Sequence, residues 1–182
     1  MFIDTNMFHF SDTSKVYLSS DRHIGHKNIL KYDSLRSESF YDLEQHDEYI
    51  LNEINKLDED SYLIFLWDLH LTDNDYADEW LSKIKVKNLY WIVWNHDSKA
   101  SINRLSKYFK VVSNDARINE YIYLNHYPPI DYLGKVNYTI EKDKKYIHWH
   151  DHNRWWKFWN NIYNIAYNWR ELLYKLNNLI NV

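Results

Sequence analysis

Residues 62–68 read Tyr-Leu-Ile-Phe-Leu-Trp-Asp. An apolar run with no polar residue alternating through it predicts a strand over Tyr62–Leu66 that is buried on both faces. Strands of that kind belong to parallel sheets covered on both sides, which points to an α/β class. The run ends directly on Asp68. Open α/β sheets bind ligands beyond the carboxyl ends of their strands, so Asp68 stands where such a fold places its chemistry.

The same arrangement recurs on either side. A short strand over residues 15–20 runs into Asp21-Arg22-His23. Strands over 89–93 and 121–124 run into Asn95-His96-Asp97 and Asn125-His126. A strand over 146–148 runs into Trp149-His150-Asp151-His152. Between the strands, Leu43, Ile50, Ile54 and Leu57 recur at helical spacing and predict a helix over 40–57. Further helices are expected over 76–84 and 102–109, a late strand over 161–166 and a C-terminal helix over 170–180. No repeat, low-complexity tract or linker interrupts the chain, so residues 1–182 are expected to form a single domain.

Composition sets further limits. With 45% hydrophobic and 26% charged residues, the chain can build an ordinary folded core. There is no Cys, which excludes disulfides and thiolate metal sites. No apolar run approaches a membrane span, and the first residues lack a basic segment followed by an apolar one; a cytoplasmic protein with no membrane partner is the expectation. A net charge of −4 and the absence of a basic stripe weigh against a nucleic-acid surface, although nucleic acid stays open as a substrate.

The polar clusters supply Asp21, His23, Asp68, Asn95, His126, His150 and His152, a set of imidazoles, carboxylates and one amide. Mixed N and O ligands suit Mn²⁺ foremost, with Fe, Zn²⁺ or Ni²⁺ as alternatives, rather than Ca²⁺. The set is too large for one tetrahedral ion and suits two ions that share a carboxylate.

In this order the clusters resemble the signature of the calcineurin-like metallophosphoesterase superfamily: D-x-H, G-D, G-N-H-[DE], H and G-H-x-H. Here they read D-R-H at 21–23, W-D at 67–68, W-N-H-D at 94–97, H at 126 and W-H-D-H at 149–152. The segments SSDRHIGHKNIL (19–30) and LNHYP (124–128) look more narrowly like small, cap-less bacterial and phage phosphoesterases. The resemblance implies a four-layer α-β-β-α sandwich with two mixed sheets. It implies that Asp21, His23 and His152 hold one divalent ion, that Asn95, His126 and His150 hold a second, and that Asp68 bridges them. It makes His96 the catalytic histidine and Asp97 the residue that orients it. The implied reaction is hydrolysis of a small phosphomonoester or phosphodiester substrate, with a nucleotide among the candidates, by in-line attack of a metal-bridging hydroxide. Two alternatives belong to the same fold: a catalytically impaired scaffold that binds protein, and a nuclease.

The sequence departs from the family at three points. Where the family has Gly before the ligands, this chain has Trp67, Trp94 and Trp149. Gly serves there because backbone and ligands crowd together and some of these turns need φ > 0. An indole at such points is expected to clash with the ligands or open the loops. Composition sharpens the point, because Gly occurs twice and Trp nine times, where about 13 Gly are usual for this length. Trp155, Trp156 and Trp159 crowd the loop after the last motif in the same way. An AT-rich gene from a lineage that reads UGA as Gly would give this pattern if UGA were translated as Trp.

Other residues are less telling in sequence. His26 and His70 lie near the motifs, and His148 precedes the last one. His9 and His46 have no motif context and read as surface residues. Arg22, between two candidate ligands, fits either phosphate or solvent.

Overall fold

The computed structural model describes residues 7–93, 97–114, 116–125, 127, 129, 137, 139–148, 162–164 and 173–180. The sheet that carries the first motifs is built from β2 (Val16–Ser20), β3 (Tyr62–Leu66), β4 (Asn88–Ile92) and β5 (Val111–Ser113), all parallel, with β10 (Tyr174–Lys175) antiparallel at the edge beside β2. Its order is β10-β2-β3-β4-β5. The second sheet joins β1 (Met7–Phe8), β6 (Ala116–Ile118), β7 (Ile122–Leu124), β8 (Lys145–His148) and β9 (Ile162–Asn164) in that order, with only β6 and β7 antiparallel. The chain is therefore α/β with two mixed sheets.

Alternation along the strands divides the apolar residues between two cores. Val16, Leu18, Ile64, Leu66 and Ile92 face Ile118, Ile122, Leu124 and Ile147 of the second sheet. Leu63, Phe65, Leu89 and Trp91 point the other way, toward the helices. Successive side chains of a strand point to opposite faces, so a strand inside both cores must be apolar throughout. The prediction from residues 62–66 holds: Leu63 through Leu66 are all buried.

The helix layer comprises α3 (Leu43–Ile54), α4 (Asn74–Ser82) and α5 (Lys99–Leu105), which pack Ile50, Ile54, Ala77, Trp80, Leu81 and Leu105 on the first sheet. Each starts on a side-chain cap: Asp42 accepts from the Gln45 N–H, Asp73 from Tyr76 and Ser98 from Ser101. Such caps satisfy the orphan donors of the first turn. Two single-turn helices, α1 (Ile29–Tyr32) and α2 (Ser34–Ser37), join β2 to α3.

One expectation is corrected. The helix predicted over 170–180 is, within the described residues, the strand β10 followed by α6 (Leu176–Ile180). Tyr174 pairs with Leu18 on the exposed edge of β2, and an open sheet edge outbids the helical spacing of this short segment. No described helix is long and apolar enough to cross a membrane.

Candidate metal centre

Three of the sequence-predicted ligands converge. Asp21, His23 and Asp68 are grouped so that one ligand atom of each lies within 4.8 Å of the others. The group sits where β2 and β3 end. Ser20 pairs with Leu66, so the two chains leave the sheet side by side. Their pairing continues past the strands: the His23 N–H donates to the Asp68 carbonyl at 2.9 Å, Ile24 N–H to Leu69 at 3.0 Å, and Leu71 N–H to Ile24 at 3.1 Å. An isolated parallel bridge links Ile24 and His70. Both ligand loops are thus one hydrogen-bonded unit.

That unit is locally strained. Asp21, His23, Trp67 and Asp68 have φ of 51°, 53°, 47° and 40°. Non-glycine residues pay about 1–3 kcal/mol for such backbone and keep it only where the surroundings over-determine it. Among the described residues, the only other non-glycine cases are Asn119 and Glu120, in the turn between β6 and β7. Strain gathered at one set of polar side chains is a mark of a functional site.

Trp67 answers one expectation and corrects another. Its left-handed φ is the conformation that favours Gly. Its indole, however, neither opens the loop nor breaks up the cluster. It is buried in the core between the sheets, and Nε1 donates to the Val93 carbonyl at 2.9 Å. The Trp67 N–H donates to Ile92, which ties the loop to β4. Trp80 and Trp91 are buried in the core on the helix side, Trp80 donating to the Asp47 carbonyl and Trp91 beside Phe109 with no hydrogen-bond partner for its Nε1.

The remaining predicted residues divide in two. Asp97 is described: it is buried, one residue before the α5 cap Ser98, and is not one of the three that converge. Asn95, His96, His126, His150 and His152 lie outside the described residues, as do Trp94 and Trp149. Ser20 Oγ donates to Asp21 Oδ2.

The donor set fits a divalent cation. Two buried carboxylates and an adjoining imidazole are hard and borderline ligands of the kind that Mn²⁺, Fe or Zn²⁺ accept. Several groups around them bear on charge. Arg22 is buried, and its Nε has no hydrogen-bond partner. Burial, with help from the neighbouring Arg36 charge, brings its pKa down to about 9. His70 is buried and His26 half-buried, and burial lowers both below the usual imidazole value. The His26 ring stands 5.8 Å from that of His23.

His46 is a correction. With no motif context it reads in sequence as a surface residue, but it is 1% exposed. Its Nε2 lies 3.1 Å from Arg36 Nη1 and its Nδ1 2.7 Å from Asp47 Oδ1. Arg36, Asp47 and Tyr76, which join it beneath the ligand loop, carried no motif that singled them out.

No family model and no curated protein matches the chain. Among solved structures, it is similar to the protein of unknown function AQ665 from Aquifex aeolicus. The TM-score is 0.55 and the identity 23%, over 78% of this chain and 80% of that one. At that identity the likeness concerns the fold.

Proposed function

We propose that this chain is a dinuclear-metal-dependent phosphoesterase with the calcineurin-like metallophosphoesterase fold. The observation that carries the reading is the convergence of Asp21, His23 and Asp68 at the carboxyl ends of two adjacent parallel strands. Sequence resemblance puts these residues in the first two of five ordered motifs, and the strained backbone coincides with them. The left-handed φ at Trp67 supports the further equation of that position with a family Gly.

In this reading Asp21 and His23, with His152, would hold one ion, Asn95, His126 and His150 would hold the other, and Asp68 would serve both. Bound divalent ions supply Lewis acidity toward the phosphoryl oxygens and lower the pKa of a water for attack on phosphorus. His96 donates a proton or hydrogen bond to the leaving oxygen, and Asp97 orients its ring. Arg22 supplies a buried positive charge beside the ligands, which an otherwise acidic chain lacks. A helix layer on the second sheet would complete the four-layer sandwich.

The test is Mn²⁺-dependent release of p-nitrophenol from p-nitrophenyl phosphate and bis-p-nitrophenyl phosphate by the full chain. Turnover of one of them is expected, with loss of both turnover and bound metal in Asp68→Asn. His96→Ala should keep its metal and lose about 100-fold or more in kcat. No turnover of either ester with Mn²⁺, Fe²⁺, Zn²⁺ or Ni²⁺ would overturn the reading.

A further inference from the structure

Beneath the strained loop lies a chain of buried polar groups that the proposed chemistry does not use. Arg36, His46 and Asp47 are all nearly inaccessible to solvent. Arg36 Nη2 donates to the Asp21 carbonyl at 2.8 Å, and Nη1 donates to the Arg22 carbonyl at 3.2 Å. Its Nε stands 3.0 Å from Asp33 Oδ2, while Asp33 Oδ1 caps α2 by accepting from the Arg36 N–H at 3.1 Å. The head group and the backbone of Arg36 are thus both anchored to Asp33.

The direction of the next bonds follows from chemistry. A guanidinium only donates, so His46 Nε2 must accept from Arg36 Nη1. The single proton of neutral His46 is then on Nδ1, where it is donated to Asp47 Oδ1 at 2.7 Å. Asp47 Oδ2 in turn accepts from the Gly25 N–H at 2.8 Å and from the Tyr76 hydroxyl at 2.8 Å. The loop is gripped at three backbone points, Asp21 O, Arg22 O and Gly25 N, which bracket His23. These grips span the three positive-φ residues of this loop, Asp21, His23 and Gly25.

We infer that Arg36, His46 and Asp47, joined by Tyr76, form a positioning clamp that holds the Asp21–His23 ligand pair in its strained backbone. The inference rests on the metal-binding reading of that pair. Buried ionic groups carry a desolvation cost, and an apolar core of equal volume is often more stable. Their placement makes sense if each bond fixes a ligand loop, because outer-shell partners of a metal site govern its affinity through orientation. Neutral His46 lets the cation and the anion share one network without touching.

The probe is Co²⁺ alone, titrated into the full chain, with dissociation constants and the visible absorption of the bound ion as readouts. Arg36→Lys, Asp47→Asn and His46→Leu are expected to weaken Co²⁺ about 10-fold or more and to alter the absorption bands. His46→Gln keeps an acceptor for Arg36 and should stay within about threefold of the unaltered protein. A purely structural role would lower thermal stability and leave affinity and spectrum alone. That result in Arg36→Lys, Asp47→Asn and His46→Leu overturns the clamp. Should these variants fail to fold, Tyr76→Phe decides, since it removes one hydroxyl from a partly exposed side chain. Weaker Co²⁺ binding then supports the clamp, and unchanged binding overturns it. Failure of the unaltered chain to bind Co²⁺ ends the metal reading itself, and the clamp with it.

Discussion

The main-chain N–H of His23 donates to the main-chain oxygen of Asp68 at 2.9 Å, which makes two candidate ligands from strands 40 or more residues apart neighbours through backbone alone. The side chains of Asp21, His23 and Asp68 converge beside that bond. Changes to the backbone of this loop should therefore be felt at the site even where no ligand is touched.

Gly25 is the first such case. Its φ is +71°, and a Cβ there would lie 2.5 Å from Thr72 Cβ and Cγ2. The β-carbon of Thr72 has no slack to give. Gly25→Ala should destabilise the protein by about 2–4 kcal/mol, from left-handed strain plus overpacking. Urea unfolding checks this: the midpoint falls at an unchanged slope. A loss below about 0.5 kcal/mol would show that the loop relaxes freely.

Trp67 is the second case. Trp67→Gly and Trp67→Ala both delete an indole from the core, at about 3–5 kcal/mol. At φ +47° the Gly variant should be the more stable of the two by about 1–2 kcal/mol. Equal stabilities would contradict the left-handed backbone. At the level of the gene, codons 67, 94 and 149 are predicted to be UGA, and UGG at all three would refute the decoding explanation.

Stability should depend on pH through His46. Burial lowers its pKa below the usual value of about 6.5, with the Arg36 and Arg22 charges adding to the shift and Asp47 opposing it. The Phe40 ring packs edge-on against the imidazole and brings no charge. Above pH 6.5 neither the folded nor the unfolded state binds the proton, and the contribution is complete. As the pH falls from there toward the lowered native value, the unfolded chain takes up the proton first, so stability is lost. Protonation would also set an Nε2–H against the Arg36 N–H. His46→Gln should flatten the slope of Tm against pH between 6.5 and 5; an unchanged slope would place the titration elsewhere.

Much of this architecture is legible in sequence, for physical reasons. The strand Tyr62–Leu66 matches its prediction because a doubly buried strand has no polar residue to blur its ends. Asp21, His23 and Asp68 were legible because each follows directly on such a run. The single-turn helices α1 and α2 are too short for periodicity to register, and β1, β5 and β6 are too short to alternate clearly. The clamp escaped for a different reason. His46 and Asp47 belong to a helix rich in acidic residues, whose polar face ordinarily meets water. Only the fold shows that Arg36 is buried against that face. A buried polar network leaves no periodic trace, since its members are set by contacts distant in the chain.

The central claim is that Asp21, His23 and Asp68 bind a divalent cation, and calorimetric titration of Mn²⁺ into the full chain and into Asp68→Asn tests it most directly. Saturable binding to the unaltered protein, weakened about 10-fold or more by Asp68→Asn, is the result this account predicts. No binding, or binding of equal strength to both proteins, would contradict it.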